Sequence, residues 1–353
     1  MASAHRTKSR HTRLAILGVS GLTALTAFSA PAAAAAGTAT AGGTATAGGT
    51  ATATPVRLAG DETPHTSGPG FVYLNGRYQG FDVPTATIGT SPFGINNLGQ
   101  IIGKYNDGTG STGAGAREHG FIRDSAGTYR TLDLPSVRST SPFDMNDNGD
   151  ITGAYSQTFG RVGDDDHRRG FLLSGAKITP IDFPNATYTQ PTGINNARQV
   201  VGEYVDDKGA AHGFLWDRGR YTSIDVVING TKSGASSASG INDSGQITGY
   251  HVVNPTAQPL TVSGYVRDQS GRYSSFMVGD GAVTFPWGIN GKGQISGINQ
   301  ADVVTNIRHG FLLTGGATGL VTPINFPNSP STAATGNNDQ AMVVGSYANP
   351  NPN

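Results

Sequence analysis

Three short elements recur six times in fixed order, and this repetition constrains the fold more than any other feature of the chain. The first is Gly followed by an aromatic residue: Gly70-Phe71, Gly120-Phe121, Gly170-Phe171, Gly213-Phe214, Gly264-Tyr265 and Gly310-Phe311. Successive copies are 50, 50, 43, 51 and 46 residues apart. The second is written GINNLGQIIGKY from Gly94, DMNDNGDITGAY from Asp144 and GINNARQVVGEY from Gly193. It returns as GINDSGQITGY from Gly240, GINGKGQISG from Gly288 and GNNDQAMVVGSY from Gly336. The third lies between them: FDVP at Phe81, LDLP at Leu132, IDFP at Ile181, IDV at Ile224, INFP at Ile324, with Phe276-Met277 in the fifth copy. Periods of this length belong to propellers, solenoids or arrays, in which one copy buries its apolar face only against the next.

Each copy holds four runs of four to seven residues that are rich in β-branched and aromatic types and bounded by Gly, Asn or Asp, the pattern of short strands. Four strands per copy is the content of one propeller blade. The Asn-x-x-Gly-Gln stretch is hairpin chemistry, because Asn bonds its own backbone and Gly supplies a positive φ. The region opens at Gly70 with a Gly-aromatic strand and ends at Tyr347 with the strand that follows the GIN turn. Pairing of strands near 71–83 with strands near 334–347 would therefore close a ring and remove its exposed edges. The expectation is an all-β, six-bladed β-propeller of four-stranded blades, closed by a composite blade from both ends of the chain. A seven-bladed ring and a β-solenoid are the alternatives; a solenoid calls for atypical polar caps, and the first copy is typical.

The GINN-x-GQ-I-x-G core and the His-Gly-Phe triplets at His119, His212 and His309 resemble the HAF-type extracellular repeat family of secreted bacterial proteins. Arg169 and Ser263 take the His slot in two copies, and the family's His-Ala-Phe is His-Gly-Phe here. The resemblance spans residues 70–347. It implies export and a repeat fold, and it implies no activity.

Residues 1–36 read as a secretory signal: a basic segment ending at Arg13, an apolar stretch from Leu14 to Ala30, and small residues from Pro31 to Ala36. The apolar stretch is diluted by Gly, Ser and Thr and is short for a membrane span. Residues 37–69 form a leader that begins with a GTATAG hexapeptide written three times with one change, a spacer with nothing to bury. The repeat domain occupies 70–347, and 348–353 reads as a disordered tail. The signal carries four bases and no acid, leaving 20 bases against 24 acids in the rest. That balance gives no electrostatic footprint for nucleic acid or for an anionic membrane. The chain has no Cys, which excludes disulfides and thiolate chemistry. The protein is expected outside the cell, free or wall-associated, as a monomer with an extracellular protein or glycan as partner.

In a blade, the loops after strands one and three share one face and those after strands two and four share the other. The first face carries short, uniform hairpins. The second carries the unlike segments Asn106–Glu118, Ser156–Arg169, Val205–Ala211, His251–Val262 and Ile298–Arg308. Function usually sits on such loops, so the interaction surface is placed on this face and at its channel mouth. Its candidate residues are Asp164, Asp165, Asp166, His167, Arg168, His251 and Arg308.

No catalytic residue, cofactor or metal site is assigned. Asp144 to Asp150 imitates the start of a calcium loop, but Tyr155 stands where a bidentate Glu is required. The three histidines of one slot would meet on a metal only if they faced the axis. Glu is confined to Glu62, Glu118 and Glu203, and nothing in the sequence pairs them. Three functions remain open. The first is a non-enzymatic binding protein. The second is an extracellular polysaccharide lyase or hydrolase using axial Asp and His, favoured if residues such as Tyr250, His251, Asp280 and Arg308 converge. The third is a substrate of a secreted transglutaminase or protease system, through Gln100, Gln246 and Gln294.

Overall fold

A computed structural model describes residues 68–87, 89–108, 118–156, 168–254, 261–279, 283–300 and 307–348. The expected signal, nearly all of the leader and the last five residues lie outside the described residues.

The repeats form antiparallel meanders. The first copy supplies β1 (Gly70–Leu74) and β2 (Arg77–Phe81). One sheet follows from β3 (Gly89–Ile95), β4 (Ile101–Asn106), β5 (Glu118–Arg123) and β6 (Tyr129–Leu132). The next holds β7 (Ser139–Met145), β8 (Ile151–Ser156), β9 (Arg169–Ser174) and β10 (Lys177–Ile181). A third holds β11 (Tyr188–Ile194), β12 (Val200–Val205), β13 (Ala211–Asp217) and β14 (Arg220–Ile224). A small hairpin, β15 (Val227–Ile228) and β16 (Thr231–Lys232), leads to the meander β17 (Ser236–Ile241), β18 (Ile247–Asn254), β19 (Thr261–Arg267) and β20 (Tyr273–Phe276). The meander β21 (Val283–Ile289), β22 (Ile295–Gln300), β23 (His309–Thr314) and β24 (Leu320–Ile324) comes next. One parallel bridge, Val262 to Val283, joins these two meanders into a single eight-stranded sheet. Finally β25 (Thr332–Asn337) and β26 (Val343–Tyr347) return to the start. β26 pairs with β1, Gly70 opposite Ser346 and Phe71 opposite Gly345, so both ends of the repeat region share one sheet. The arrangement is an all-β propeller.

Each meander begins at its GIN strand, which lines the axis and is an edge of its sheet, except that β21 meets β19 at the single bridge of Val283. That position explains the prolines. Pro92, Pro142, Pro191 and Pro286 sit in these strands, where an edge tolerates a residue without an N–H. Directly after each Pro or Ala the register slips by one residue, a β-bulge present in all six axial strands. The extra residues are Phe93, Phe143, Thr192, Ser239, Trp287 and Thr335.

The Gly-aromatic pair explains the packing between sheets. Phe71, Phe121, Phe171, Phe214, Tyr265 and Phe311 are at most 1% exposed, each in a cluster shared with a neighbouring sheet. The glycine before them has no room for a side chain. At Gly120 a Cβ would lie 2.5 Å from the Leu132 carbonyl and 2.9 Å from the Pro142 ring of the next sheet. An alanine in the triplet would not fit this packing. The Asp-containing element ends each sheet, and a Thr of the next axial strand caps it: Thr90 accepts from Val83 N, Thr140 from Leu134 N and Thr189 from Phe183 N.

Candidate functional site

The axis has two ends, and they are built differently. At one end stand the Asn-x-x-Gly-Gln turns. The Asn side chain folds its own turn: Asn96 Oδ1 accepts from Leu98 N and Gln100 N, and its Nδ2 donates to Gln100 Oε1. The same Nδ2 also donates to the Asn146 carbonyl of the next sheet. Asn146 does this to Asn195, Asn195 to Asn242, Asn242 to Asn290, Asn290 to Asn338, and Asn338 back to Asn96. Six carboxamides thus form a closed circuit around the axis. A second circle lies outside it. Asp147 accepts from Asn97 N, Asn196 from Asp147 N, Asp243 from Asn196 N, Asp339 from Gly291 N and Asn97 from Asp339 N.

These turns hold the three glutamines considered for cross-linking. Gln100, Gln246 and Gln294 are half-buried, and each Oε1 accepts from the Asn of its turn. The calcium-like stretch from Asp144 is engaged in the same way. Asn146 bonds Asp150, Asp147 takes part in the outer circle, and Asn148 donates to the Asn196 carbonyl.

Inside the circuit lies a cavity of about 100 Å³. Its walls are turn asparagines and axial-strand glycines, with Phe93, Phe143 and Trp287 from the bulges. Phe93 and Phe143 touch with ring centroids 5.1 Å apart, and Trp287 Nε1 is buried without a hydrogen-bond partner. One lining residue breaks the repeat. Asp144 stands where the other five copies carry Gly. Its Oδ2 accepts from Ile194 N of the next sheet and its Oδ1 from Met145 N. Burial pushes this carboxyl up to about 7, against the two amides that favour its charge.

The other end is where the second strand of each sheet hands over to the third. Here one cross-strand pair, the residue after the Gly of the I-x-G run and its partner on the axial strand, differs in every sheet. The pairs are Ser91/Lys104, Ser141/Ala154, Gln190/Glu203, Ser237/Tyr250, Phe285/Ile298 and Ala333/Ser346. Several members are polar and nearly inaccessible, including Lys104 (6%), Gln190 (2%) and Glu203 (3%). Lys104 Nζ lies 2.5 Å from Glu118 Oε1, and Ser141 of the next sheet donates to Glu118 Oε2 at 3.1 Å. The Arg168 guanidinium is 4.0 Å from the same carboxylate. Burial opposes the charge on Glu118, but Lys104 and Arg168 outweigh it and hold the group at about 2. Glu203 is the opposite case. Burial raises it to about 7, although Tyr250 of the next sheet donates to Oε2 at 2.8 Å. Its Oε1 is buried with no partner. Burial likewise lowers Arg308 to about 10.

The other candidates fall elsewhere. Asp164, Asp165, Asp166, His167 and Asp280 lie outside the described residues. His251 points away from the axis, its nitrogens bonded to Ser233 and Ser275 at 2.8 and 2.9 Å. Its neighbour Tyr250 reaches Glu203 instead, so the two do not converge. The histidines of the Gly-Phe triplet do not meet either. His119 Nδ1 lies 2.8 Å from Asp133 and stacks on Tyr105; His212 lies 2.6 Å from Asp225 and stacks on Tyr204. In the third copy Arg169 pairs with Asp182, and in the fifth Ser263 donates to Met277. In three sheets the slot and the Asp of the FDVP element thus form one clamp. Among the described residues, no three His, Cys, Asp or Glu side chains are placed to hold a metal ion.

The sequence missed the Lys104–Glu118–Arg168 and Glu203–Tyr250 contacts. Each pair position differs between copies, so no motif marks it. The detectable signal was the variation itself at a position that directly follows an invariant glycine.

In sequence the chain matches no family model and no curated protein. In structure it is similar to a putative TolB from Agrobacterium tumefaciens, with TM-score 0.51 at 10% identity over 80% of this chain and 99% of that one. TolB from Acinetobacter baumannii aligns with TM-score 0.44 at 10% identity, over 81% of this chain and 65% of that one. A putative gluconolactonase aligns with TM-score 0.37 at 12% identity, over 71% and 81%. At such identities the likeness is one of fold, and the fold it supports is the β-propeller.

Proposed function

We propose that this chain is an exported, six-bladed propeller that binds a protein or cell-wall glycan at the axial mouth where the unlike segments project, without catalysing a reaction. The count of six takes the eight-stranded sheet as two blades joined by one bridge and the shared sheet as the closing blade. The six-membered asparagine circuit supports it. Export and the HAF-type kinship rest on residues 1–36 and on the repeat wording.

One observation carries the binding reading: the six equivalents of the Ser91/Lys104 pair are all different, whereas the turns at the opposite end repeat one hydrogen-bond pattern. A scaffold alone needs one solution, repeated. Unlike buried polar groups around one mouth are what selective recognition of a single ligand requires. The test is capture of wall polysaccharide and secreted proteins from the producing organism on the immobilised protein. Replacing segments 107–117 and 157–167 by short Gly/Ser turns should abolish capture, and Asn97→Ala at the opposite end should leave it intact. Capture that survives replacement of every unlike segment overturns the placement.

A hydrolytic reading is favoured by one fact. Lys104 and Arg168 hold Glu118 at about 2 while burial raises Glu203 to about 7, and carboxyls driven apart in this way recur as acid and base pairs. Turnover of a polysaccharide that is lost in both Glu118→Gln and Glu203→Gln would establish it over the binding reading.

A further inference from the structure

We propose that the cavity inside the asparagine circuit is a second site, for a small organic ammonium ion held by Asp144 against Phe93, Phe143 and Trp287. It is separate from the mouth assigned above.

Four carboxyls line the cavity, Asp144, Asp147, Asp243 and Asp339, and among the described lining residues there is no Lys, Arg or His. The three outer carboxylates already serve the ring. Asp147 and Asp243 accept from asparagine amides, and Asp339 accepts from Gly291 N. They contribute a negative field rather than a vacant ligand. Asp144 is different. Its oxygens meet two backbone amides and no cation.

The position is also crowded. A Cβ at Gly240 or Gly336, the same place in other copies, would stand 2.8 Å from the Trp287 carbonyl or 2.6 Å from the Phe93 carbonyl, and at Gly94 it would meet the Asp144 carboxyl itself. Gly serves that place five times, so the scaffold does not need a carboxyl there. A buried charge without a partner is unfavourable, and residues kept against the local rule mark functional positions. A cation in the cavity supplies the missing countercharge.

The walls select the kind of cation. No carboxylate or imidazole triplet among the described residues is placed for a metal. Three wall residues are aromatic, and ring faces attract organic cations most strongly where water is excluded. A cavity of about 100 Å³ is smaller than the ~150 Å³ hole that takes a benzene ring. It suits methylammonium or the ammonium end of an alkylamine, not a sugar ring.

Trp287 makes the test direct. The only other tryptophan is Trp216. In Trp216→Phe, methylammonium chloride should change Trp287 emission saturably in the millimolar range, while sodium chloride and glycerol should not. Asp144→Gly, which restores the residue of the other five copies, should weaken the response at least tenfold. Titration calorimetry of the protein with both tryptophans should give the same ranking. No saturable change, an equal response to glycerol, or an unaltered response in Asp144→Gly would each overturn the proposal. Ligand capture at the opposite mouth is untouched by all of these outcomes.

Discussion

At the scale of single residues, the exceptions to the repeat are the informative ones. Four of the six turns place Gly in the left-handed position, at Gly99, Gly149, Gly245 and Gly293; the other two place Arg198 (φ 61°) and Ala341 (φ 59°) there. A side chain in that region costs roughly 1–2 kcal/mol, partly offset by the lower unfolded-state entropy of a non-Gly residue. Ala341→Gly should therefore stabilise the protein by about 0.5–1 kcal/mol in urea denaturation. Arg198→Gly should give no such gain, because Arg198 Nε donates to the buried Asp150 carboxylate at 2.8 Å. Asp144 and Glu203 make a different kind of exception. Both bind protons more tightly folded than unfolded, so the stability they allow is present below about pH 4 and is lost as pH rises to about 7. Glu118 runs the other way, its contribution being lost as pH falls from 4.5 towards 2. Urea midpoints should thus be highest near pH 4–5. Asp144→Gly should stabilise more at pH 8 than at pH 5. The difference is at most about 3 kcal/mol, from the two pH units between 5 and 7, and less because Asp144 is partly open to the cavity.

At the scale of elements, each sheet is pinned by one aromatic and one glycine. Phe171 is 0% exposed, and Phe171→Ala should cost about 3–5 kcal/mol. Gly120→Ala should also destabilise, since its Cβ would press on both Leu132 and Pro142; thermal unfolding reads both. These positions were legible in the sequence because packing against an identical neighbour imposes the same residue each time. The hairpins were legible for the same reason, as Asn and Gly answer a local need. What was not legible is reach. The asparagine that folds its own turn also bonds the next sheet, some 50 residues on in most cases, and nothing local records the second bond. The bulge in each axial strand was hidden too, since an extra residue leaves the sequence spacing unchanged from copy to copy. At the mouth the problem is inverted. Lys104, Glu203 and Tyr250 occupy one position, and their difference reads as noise until the sheets are set around an axis.

At the scale of the whole molecule, repetition and variation divide the axis between them. One end repeats its hydrogen bonds around the ring, apart from the outer circle's gap at Gly291, and carries Asp144 in place of a glycine. The other end keeps its backbone and varies its side chains. The sheet shared by the two chain ends ties the halves together, with Tyr347 N donating to the Pro69 carbonyl beyond the last ladder pair. Removing β26 by truncation after Asn338 should therefore abolish cooperative unfolding, because it leaves β1 and β25 without the strand that joins them; circular dichroism against temperature reads this.

The shared sheet also decides how the molecule answers to force. Gly70 and Ser346 lie side by side, and the chain runs away from them in opposite directions along β1 and β26. A pull on the two ends loads one ladder bond at a time, so the strands peel rather than slide. An optical trap should record a low first rupture as β1 and β26 separate, followed by release of the remaining sheets in series. A protein anchored by one end alone would feel none of this, whereas one gripped at both ends would open first at the sheet that closes it.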